Sequence, residues 1–403
     1  MSENVTPFAT NVPTLASTAS GSASPRWARY DAAASGLPEY WYPVLSADTL
    51  RRKQRIPLKF MNLELVFVPE GDRFYALADR CPHRGVPLSL GSREFPKSIS
   101  CEYHGWTFSL ESGELVAALT DGPDSPVLGK ARVRTFPVEE RAGLIWVWTG
   151  QGKPVPVEQD IPAELLDPSA RIYPHYRDVQ GNWRFACEYG FDESHGKMLH
   201  RTSWWVFFRP VSAWNTTEIK RLEDGDWLDR YQHSVHVRDD YPGLGSWPPG
   251  KWWKKLGART TIQGKDHFVA IRLPCILRVK QPGTADWTHY EWYMPINAER
   301  YRYMTLAVSW RKSLFKRLMF WLRYYIYILP VHHYGFNGQD LMMVREMNGD
   351  PPVHSFRPDV SIFEWRRHVE ENARGPGGAP RDNNREERRS PAPRPPSLAP
   401  LRG

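Results

Sequence analysis

Two short segments of the sequence each pair a cysteine with a histidine. CPHRG places His83 two positions after Cys81, and CEYHG places His104 three positions after Cys101. Thiolates and imidazoles are the side chains that bind zinc and iron–sulfur clusters. Zinc fingers generally keep the cysteines in one pair and the histidines in another, whereas each segment here supplies one of each. This distribution favours a [2Fe–2S] cluster with two thiolates on one iron and two imidazoles on the other, with a structural zinc site as the alternative.

A second group of possible metal ligands lies in GNWRFACEYGFDESHGKMLHR, residues 181–201: Glu188, Asp192, His195 and His200. A mononuclear Fe(II) that activates O₂ needs two histidines and one carboxylate on one face, with other positions open. The two histidines are about 140° apart around an ideal helix, so they share a face only where the helix breaks or widens. We expect that change at Gly196. Spacing alone leaves open that both histidines are ordinary core or surface residues.

The elements that must position the cysteines and histidines form a strand-rich region over residues 39–150. LELVFVPEGDRFYALAD alternates about Gly71, and WTFSLESGELVAAL alternates about Gly113, so each predicts a β-hairpin. GLIWVWTG indicates a buried strand. The Cys/His segments fall at strand ends, in loops. The region is therefore predicted to be a small all-β domain.

A proline-rich stretch, QGKPVPVEQDIPAELLDPS, separates this region from a mixed one. Helical patterns at 183–200, 313–328 and 359–373 alternate there with strand-like HFVAIRLPCILRVK and RYRYMTLAVSW. This mixture predicts an α+β domain with an antiparallel sheet backed by helices. The expected divisions are a flexible arm (1–37), the all-β domain (38–150), a linker (151–169), the α+β domain (170–375) and a disordered tail (376–403).

Length and composition limit the classes of function. A chain of 403 residues exceeds what one core usually supports, and 41% hydrophobic residues suffice for two. The net charge of +8 lies partly in the predicted tail, and no nucleic-acid-binding module is recognisable, which indicates a mildly basic surface. Four cysteines are too few for a disulfide framework. We therefore expect a reducing, cytoplasmic location and no nucleic-acid partner.

No stretch of the sequence is typical of a secretory signal or a membrane span. The first residues lack a basic start followed by an apolar run. SLFKRLMFWLRYYIYILP (313–330) is apolar, but Lys316, Arg317 and Arg323 interrupt it, and the uninterrupted run is shorter than the ~20 residues that a span requires. We predict a well-buried amphipathic helix here, with a membrane-surface helix as the alternative.

Both groups of candidate ligands resemble motifs of one protein family. CPHRG and CEYHGWTF resemble the two cluster-binding loops of Rieske proteins, including the aromatic Trp106 that follows. Residues 181–201 resemble the E-N-x-x-D-x-x-H-x-x-x-x-H segment of Rieske non-heme iron oxygenases. Tyr189 stands where many members of the family have Asn, a departure that changes no expected ligand but bears on the pocket or the electron path. The resemblance covers residues 38–375 and is to the terminal oxygenase, or alpha-type, subunit.

The resemblance implies a role for each candidate residue. Cys81, His83, Cys101 and His104 would hold a [2Fe–2S] cluster. His195 and His200 would hold Fe(II) with a carboxylate from FNGQDLMMVREMNGD (336–350), where the family has an Asp in a "QD" or "ED" pair. This favours Asp340, with Glu346 as the second choice and a helix-dipole role for Asp340 as the structural alternative. Asp192 would bridge the centres of two subunits by hydrogen bonds to His195 and to His104 of a neighbour.

The resemblance also implies a fold, partners and a reaction. The fold is a Rieske domain followed by a helix-grip (START-like) catalytic domain, assembled as a homotrimer without a small beta subunit. Because the sequence contains no G-x-G-x-x-G, electrons would come from an NAD(P)H-dependent reductase, directly or through a ferredoxin. The reaction would be hydroxylation of an aromatic or heteroaromatic ring with O₂. The aromatic segment TSWWVFFRP would line the pocket or simply pack in the core.

Other functions remain open on the sequence. They are O-demethylation or monooxygenation at a non-ring position, electron transfer without oxygenase activity, and redox sensing on nucleic acid. The adjacent His332 and His333 precede the predicted carboxylate ligand, and we interpret them as partly exposed loop residues outside the site.

Overall fold

The computed structural model describes residues 27–192, 194–203, 213–222, 227–237, 240–241, 243, 245–246, 262–263, 267–280, 287–347 and 356–375. The strands are β1 (Trp41–Ser46), β2 (Ile56–Phe60), β3 (Leu63–Glu70), β4 (Arg73–Ala78), β5 (Ser98–Ser100), β6 (Trp106–Ser109), β7 (Leu115–Ala118), β8 (Thr135–Phe136), β9 (Val138–Arg141), β10 (Leu144–Trp148), β11 (Arg171–Gln180), β12 (Ala213–Arg221), β13 (Trp227–Val237), β14 (Asp240–Tyr241), β15 (Gly245–Ser246), β16 (Ile262–Gln263), β17 (His267–Arg272), β18 (Ile276–Val279), β19 (Trp287–Pro295) and β20 (Arg300–Ser309). The α-helices are α1 (Ala28–Ala32), α2 (Ala47–Lys53), α3 (Trp183–Phe191), α4 (His195–Met198), α5 (Leu314–Arg323), α6 (Asn337–Glu346) and α7 (Val360–Asn372).

The N-terminal part is predominantly β, as the sequence predicts. Its three small sheets have the strand orders β1-β10-β9, β2-β3-β4-β8 and β5-β6-β7. Both predicted hairpins are confirmed, since β3 pairs with β4 across Gly71 and β6 pairs with β7 across Gly113. Both glycines have positive φ, the backbone conformation that a tight turn needs and that glycine adopts without strain. Strand β10 is fully buried, also as predicted.

The C-terminal part is built on one antiparallel sheet with helices against it, which confirms the α+β class. The strand order is β11-β20-β19-β18-β17-β13-β12, and β16 also pairs with β13. Helix α3 packs on β17, β18 and β19, and helix α6 packs on α3 and β11. The helical segments predicted near 183–200 and 359–373 correspond to α3 with α4 and to α7. The sheet therefore supports α6, which carries Asp340, and α3, which leads into the segment that carries His195 and His200.

One large hydrophobic core is shared by the two parts. Trp146 of β10 packs edge-on against Trp292 of β19, with 6.4 Å between ring centroids, and the same buried cluster continues through both sheets. A separate small core lies among β3 to β7 and contains Cys81 and Cys101. The base of the β domain is thus fixed on the catalytic sheet, while the cysteine loops have their own support.

Three expectations from the sequence are wrong for the described residues. The last part of the arm predicted over 1–37 includes helix α1, whose Tyr30 is buried, so that part is folded and not a flexible arm. The apolar segment at 313–330 is not well buried, because Leu314 is 79% exposed and Ile326 is 72% exposed. It becomes a π-helical segment over Tyr324–Phe336. That segment buries His333, which was expected in a partly exposed loop.

Two further expectations lie outside the described residues. These are the disordered tail at 376–403 and the aromatic segment from residue 204 to 210. Among the helices that the structure describes, none is both long enough and apolar enough to cross a bilayer.

A buried ion pair joins the first and last helices to the middle of the chain. Arg366 of α7 binds Glu188 of α3 through two hydrogen bonds, Nε to Oε1 at 2.6 Å and Nη2 to Oε2 at 3.1 Å. The hydroxyl of Tyr30 donates to the same carboxylate. The side chains of Arg366 and Glu188 are 15% and 9% exposed. The pair therefore holds α1 and α7 against the helix that leads into the candidate iron site.

We expect Arg366→Met to lower the free energy of unfolding by about 3 kcal/mol, because it leaves the buried Glu188 carboxylate without a cation. Arg302→Met is the matched control. Arg302 binds Asp178 with the same two-bond geometry, but those side chains are 23% and 36% exposed, so the loss should be about 0–1 kcal/mol. Urea unfolding of both variants measures the difference. Equal losses would contradict a structural role for the Glu188 pair.

Candidate metal centres

The two cysteine–histidine loops have the same backbone construction. The N–H of Gly85 donates to the carbonyl of Cys81 at 2.8 Å, and the N–H of Gly105 donates to the carbonyl of Cys101 at 3.0 Å. Both glycines have positive φ, 72° and 65°. A side chain at Gly105 would also collide with Leu119, whose Cβ lies 2.7 Å from the position of the added carbon. The sequence thus folds each segment into a tight loop that leads its histidine back toward its cysteine.

The four side chains of these loops converge with the sulfurs inside and the imidazoles outside. Cys81 and Cys101 are 2% and 3% exposed, whereas His83 is exposed and His104 is half-buried. The two imidazole centroids are 4.7 Å apart. The ring of His83 stacks on Trp106 at 4.8 Å with an interplanar angle of 11°, which fixes its orientation.

This donor set fits a [2Fe–2S] cluster. Burial raises the pKa of the Cys81 thiol, and the nearby Cys101 sulfur adds to this effect, while backbone hydrogen bonds from His83 and Arg84 oppose it. Two sulfurs placed together in a nonpolar core need a positive centre to exist as thiolates. The backbone N–H groups that point to the sulfur match the hydrogen bonds that tune cluster potentials.

The second predicted ligand set is brought together from two helices and a loop. Asp340 of α6 presents Oδ1 to His200 Nε2 at 3.1 Å and to His195 Nε2 at 3.4 Å. One ligand atom from each of the three residues lies within 4.8 Å of the others. His200 Nε2 and Asp340 Oδ1 are buried and have no hydrogen-bond partner. Three donor atoms that converge without bonding each other fit a shared metal ion, and two histidines with one carboxylate match the facial triad of non-heme Fe(II).

Outer groups orient each histidine by its second nitrogen. His200 Nδ1 lies 2.8 Å from Gln339 Oε1, so Nδ1 carries the proton and Nε2 is left with a lone pair for a metal. His195 Nδ1 lies 3.5 Å from Asp192 Oδ2. The ring of Phe336 stacks on His200 with 3.6 Å between centroids. Both histidines are thereby held with Nε2 directed at Asp340.

The electrostatics of the site favour a bound cation. Burial acts to raise the pKa of Asp340, but His195 and His200 outweigh it and hold the pKa below its usual value. Burial acts to lower the pKa of His195, but the carboxylates of Asp192 and Asp340 outweigh it and raise the pKa to about 9. Positive charge between these groups is therefore stabilised.

The two histidines, five positions apart, share a face because the segment that carries them is not one regular α-helix. The irregularities do not lie where the sequence predicts them. Helix α3 ends at Phe191, and the carboxylate of Asp192 accepts hydrogen bonds from the backbone N–H groups of Ser194 (2.8 Å) and His195 (3.2 Å) to begin α4. The chain then tightens into a 3₁₀ turn over Leu199–Thr202. Gly196 lies inside α4, so the expectation that it marks the change is wrong.

Among the described residues, the other carboxylates in 181–201 and 336–350 do not belong to this ligand set. Glu188 is not part of the ligand set and instead pairs with Arg366. Glu346 is exposed at the end of α6, and Asp350 lies outside the described residues. Sequence reasoning missed Gln339 and Phe336. Gln339 directly precedes Asp340, so a polar neighbour to the ligand was the available signal.

A cavity of about 870 Å³ opens beside the second site. Asp192, His195 and Asp340 lie on its wall, with mainly apolar neighbours such as Phe185 and Met343. The edge of the second site that includes Asp192 can therefore be reached from the protein surface.

Two protein-family models match consecutive parts of this chain. Residues 40–137 match the Rieske [2Fe-2S] domain, and residues 148–214 match the homotrimeric ring hydroxylase family. The terminal oxygenase component of carbazole 1,9a-dioxygenase from a Sphingomonas species is 30% identical over 369 residues, which cover 87% of this chain and 95% of that protein. The corresponding component from Metapseudomonas resinovorans is 28% identical over 371 residues, covering 87% and 94%.

Solved structures agree with the sequence relatives. The terminal oxygenase of carbazole 1,9a-dioxygenase from Nocardioides aromaticivorans superposes with a TM-score of 0.73 at 25% identity, over 88% of this chain and 99% of that one. The oxygenase in the reduced complex between oxygenase and ferredoxin of carbazole 1,9a-dioxygenase gives 0.73 at 26% identity, over 87% and 93%. The chain belongs to the Rieske non-heme iron oxygenases, as a terminal oxygenase of the aromatic ring-hydroxylating type with a [2Fe–2S] cluster and a mononuclear iron.

Proposed function

We propose that Cys81, His83, Cys101 and His104 bind the [2Fe–2S] cluster. The support is the burial of both sulfurs together with the surface position of both imidazoles. With the histidine edge of the cluster site at the surface, electrons can enter and leave there.

We further propose that His195, His200 and Asp340 bind the mononuclear iron, with Asp340 rather than Glu346 as the carboxylate. The observation that carries this is the convergence of both Nε2 atoms on Asp340 Oδ1 in a buried place. When bound there, the iron supplies the activation of O₂ for attack on a ring. Gln339 keeps the proton of His200 on Nδ1, and Phe336 excludes water from one face of that imidazole.

Asp192 is proposed to connect the two kinds of centre across a subunit boundary. Its carboxylate faces His195 from the wall of the open cavity, while His104 lies half-buried at the tip of another domain. In a trimer, His104 of a neighbour could donate to Asp192 from the cavity side. Asp192 would then orient both imidazoles and shorten the path of the electron.

The proposed partners are those of the similar proteins. A structural neighbour is an oxygenase–ferredoxin complex, so a ferredoxin reduced by an NAD(P)H-dependent reductase is the electron donor that we propose. We propose a homotrimer because one matching family is described as homotrimeric. We propose the domain boundary at 151–169; the support is that the first family match ends at residue 137 and the second begins at 148. A cytoplasmic location is proposed on the four unpaired cysteines.

We propose a fused aromatic or heteroaromatic ring of the carbazole kind as substrate, and cis-dihydroxylation as the reaction. The support is that the relatives matched over most of their length are named as carbazole 1,9a-dioxygenase components. Ring monohydroxylation and demethylation are the alternatives, and product analysis separates them.

Carbazole turnover with an added ferredoxin and reductase tests this assignment. Wild-type protein is expected to consume O₂ and form a dihydroxylated product. Asp340→Ala should abolish the product and remove about one iron per chain, because a three-ligand site loses its only carboxylate. Glu346→Ala is the control and should keep both, since Glu346 is exposed. Loss of iron in the control alone would show that Asp340 is not the ligand.

Asp192→Asn should slow re-oxidation of the reduced cluster by O₂ in the presence of substrate, while iron and sulfide contents stay unchanged. The physical reason is that a neutral amide binds two imidazole N–H groups less strongly than a carboxylate. Ser194→Ala is the matched control, because Ser194 Oγ donates to the same carboxylate at 2.8 Å without taking part in the proposed bridge. Stopped-flow absorbance of the cluster measures the rate. An equal effect of both variants would contradict the bridge.

A further inference from the structure

A second cluster of histidines lies beside the proposed iron site and has no role in it. His289 of β19 and the adjacent His332 and His333 of the π-helical segment each present one ring nitrogen, and these three atoms lie within 4.8 Å of one another. The ring centroids are 5.0 to 5.7 Å apart in all three pairs. The cluster is formed by strand register and a helix type that the sequence did not reveal.

Some buried ring nitrogens of this cluster lack a hydrogen-bond partner among the described residues. His289 and His333 are 0% and 1% exposed. His289 Nδ1 and both ring nitrogens of His333 have no hydrogen-bond partner. Burial lowers the pKa of His332 to about 3 and also lowers the pKa of His333. Buried polar atoms in folded proteins nearly always have a hydrogen-bond partner or bind an ion, so we expect a bound group at this cluster.

The buried carboxylate of Glu291 lies next to the cluster. Glu291 Oε1 lies 2.9 Å from His289 Nε2, and His289 and Glu291 are two positions apart on β19, on one face of the strand. Asn337 and Tyr293 also donate to Glu291, and neither carries positive charge. A carboxylate that accepts a hydrogen bond from the second ring nitrogen of a histidine is a common outer partner of a metal ligand. With Nε2 held in this way, Nδ1 of His289 is the atom left to bind an ion.

We propose that His289, His332 and His333 form a second metal site, for a borderline transition-metal dication such as Zn²⁺, with Glu291 as the outer carboxylate. Three neutral imidazoles with an open fourth position are a donor set that Zn²⁺ binds. The charge of the ion offsets the buried charge of Glu291. The site is distinct from the proposed iron site, because the ring of Phe336 stands between His332, at 5.5 Å, and His200, at 3.6 Å.

Metal analysis of the full-length, iron-loaded protein tests the proposal. The protein is equilibrated with Zn²⁺, passed through a desalting column and assayed for zinc and iron. About one zinc per chain with unchanged iron is expected. His289→Gln/His333→Gln should lose the zinc and keep the iron, and Glu291→Gln should weaken zinc binding by about 10–100-fold.

His175→Gln is the matched control, because His175 stacks near His333 with 6.3 Å between centroids but lies outside the ligand set. It should retain zinc. The proposal is overturned if wild type retains no zinc, if zinc replaces iron mole for mole, or if the double variant retains zinc. If the double variant loses its iron, the single variant His333→Gln is compared with wild type after both are loaded with Co²⁺. A ligand-field spectrum of tetrahedral Co²⁺ with nitrogen ligands that is present in wild type and absent from the variant supports the site. The same spectrum in both proteins excludes it. Because iron is counted separately, failure of this site leaves the proposed iron ligands untouched.

Discussion

The catalytic domain is organised around the buried carboxylate of Asp340. This carboxylate lies between two imidazole nitrogens without forming a hydrogen bond to either of them. A charged oxygen in a nonpolar interior is costly unless a cation or good hydrogen bonds compensate it. Here both histidines are turned by outer groups so that their free nitrogens face the carboxylate. Positive charge placed between these groups is stabilised, which is consistent with the metal ion that the family resemblance implies.

The surrounding elements keep this arrangement rigid. The long antiparallel sheet supports α6, which carries Asp340, and α3, which leads into the turn that carries His195 and His200. The buried pair of Glu188 and Arg366 ties the first and last helices to α3. Because Trp146 and Trp292 belong to one continuous core, the β domain is fixed on the same sheet. The cluster loops lie beyond that core, at the surface, where another protein or subunit can reach them.

The parts of the site that could be predicted are those with ligands close in sequence. Each Cys/His loop is fixed by local backbone bonds and a glycine with positive φ, so residue type and spacing suffice. The hairpins follow from alternation about a glycine, and the buried strand β10 follows from a short continuous apolar run. Asp340 could be chosen only with the help of the family resemblance, because more than a hundred residues separate it from the histidines.

What could not be predicted arises from tertiary packing. The helical segment is interrupted after Phe191, because the Asp192 carboxylate accepts hydrogen bonds from the backbone at the start of the next helix. The residue pattern does not predict the interruption at this position. The burial of His333 depends on a π-helical segment packed against β19, two regions whose relation the chain order does not reveal. Helix α1 is ordered through Tyr30, which contacts a residue far along the chain.

The most direct test of the account is the iron and acid-labile sulfide content of anaerobically purified protein, together with the EPR spectrum after reduction by dithionite. Two centres of the proposed kinds predict about three irons and about two sulfides per chain, with the low average g value of a cluster that has histidine ligands. Zinc without sulfide in the Cys81–His104 loops would contradict the account, because neither electron transfer nor oxygen activation could then take place.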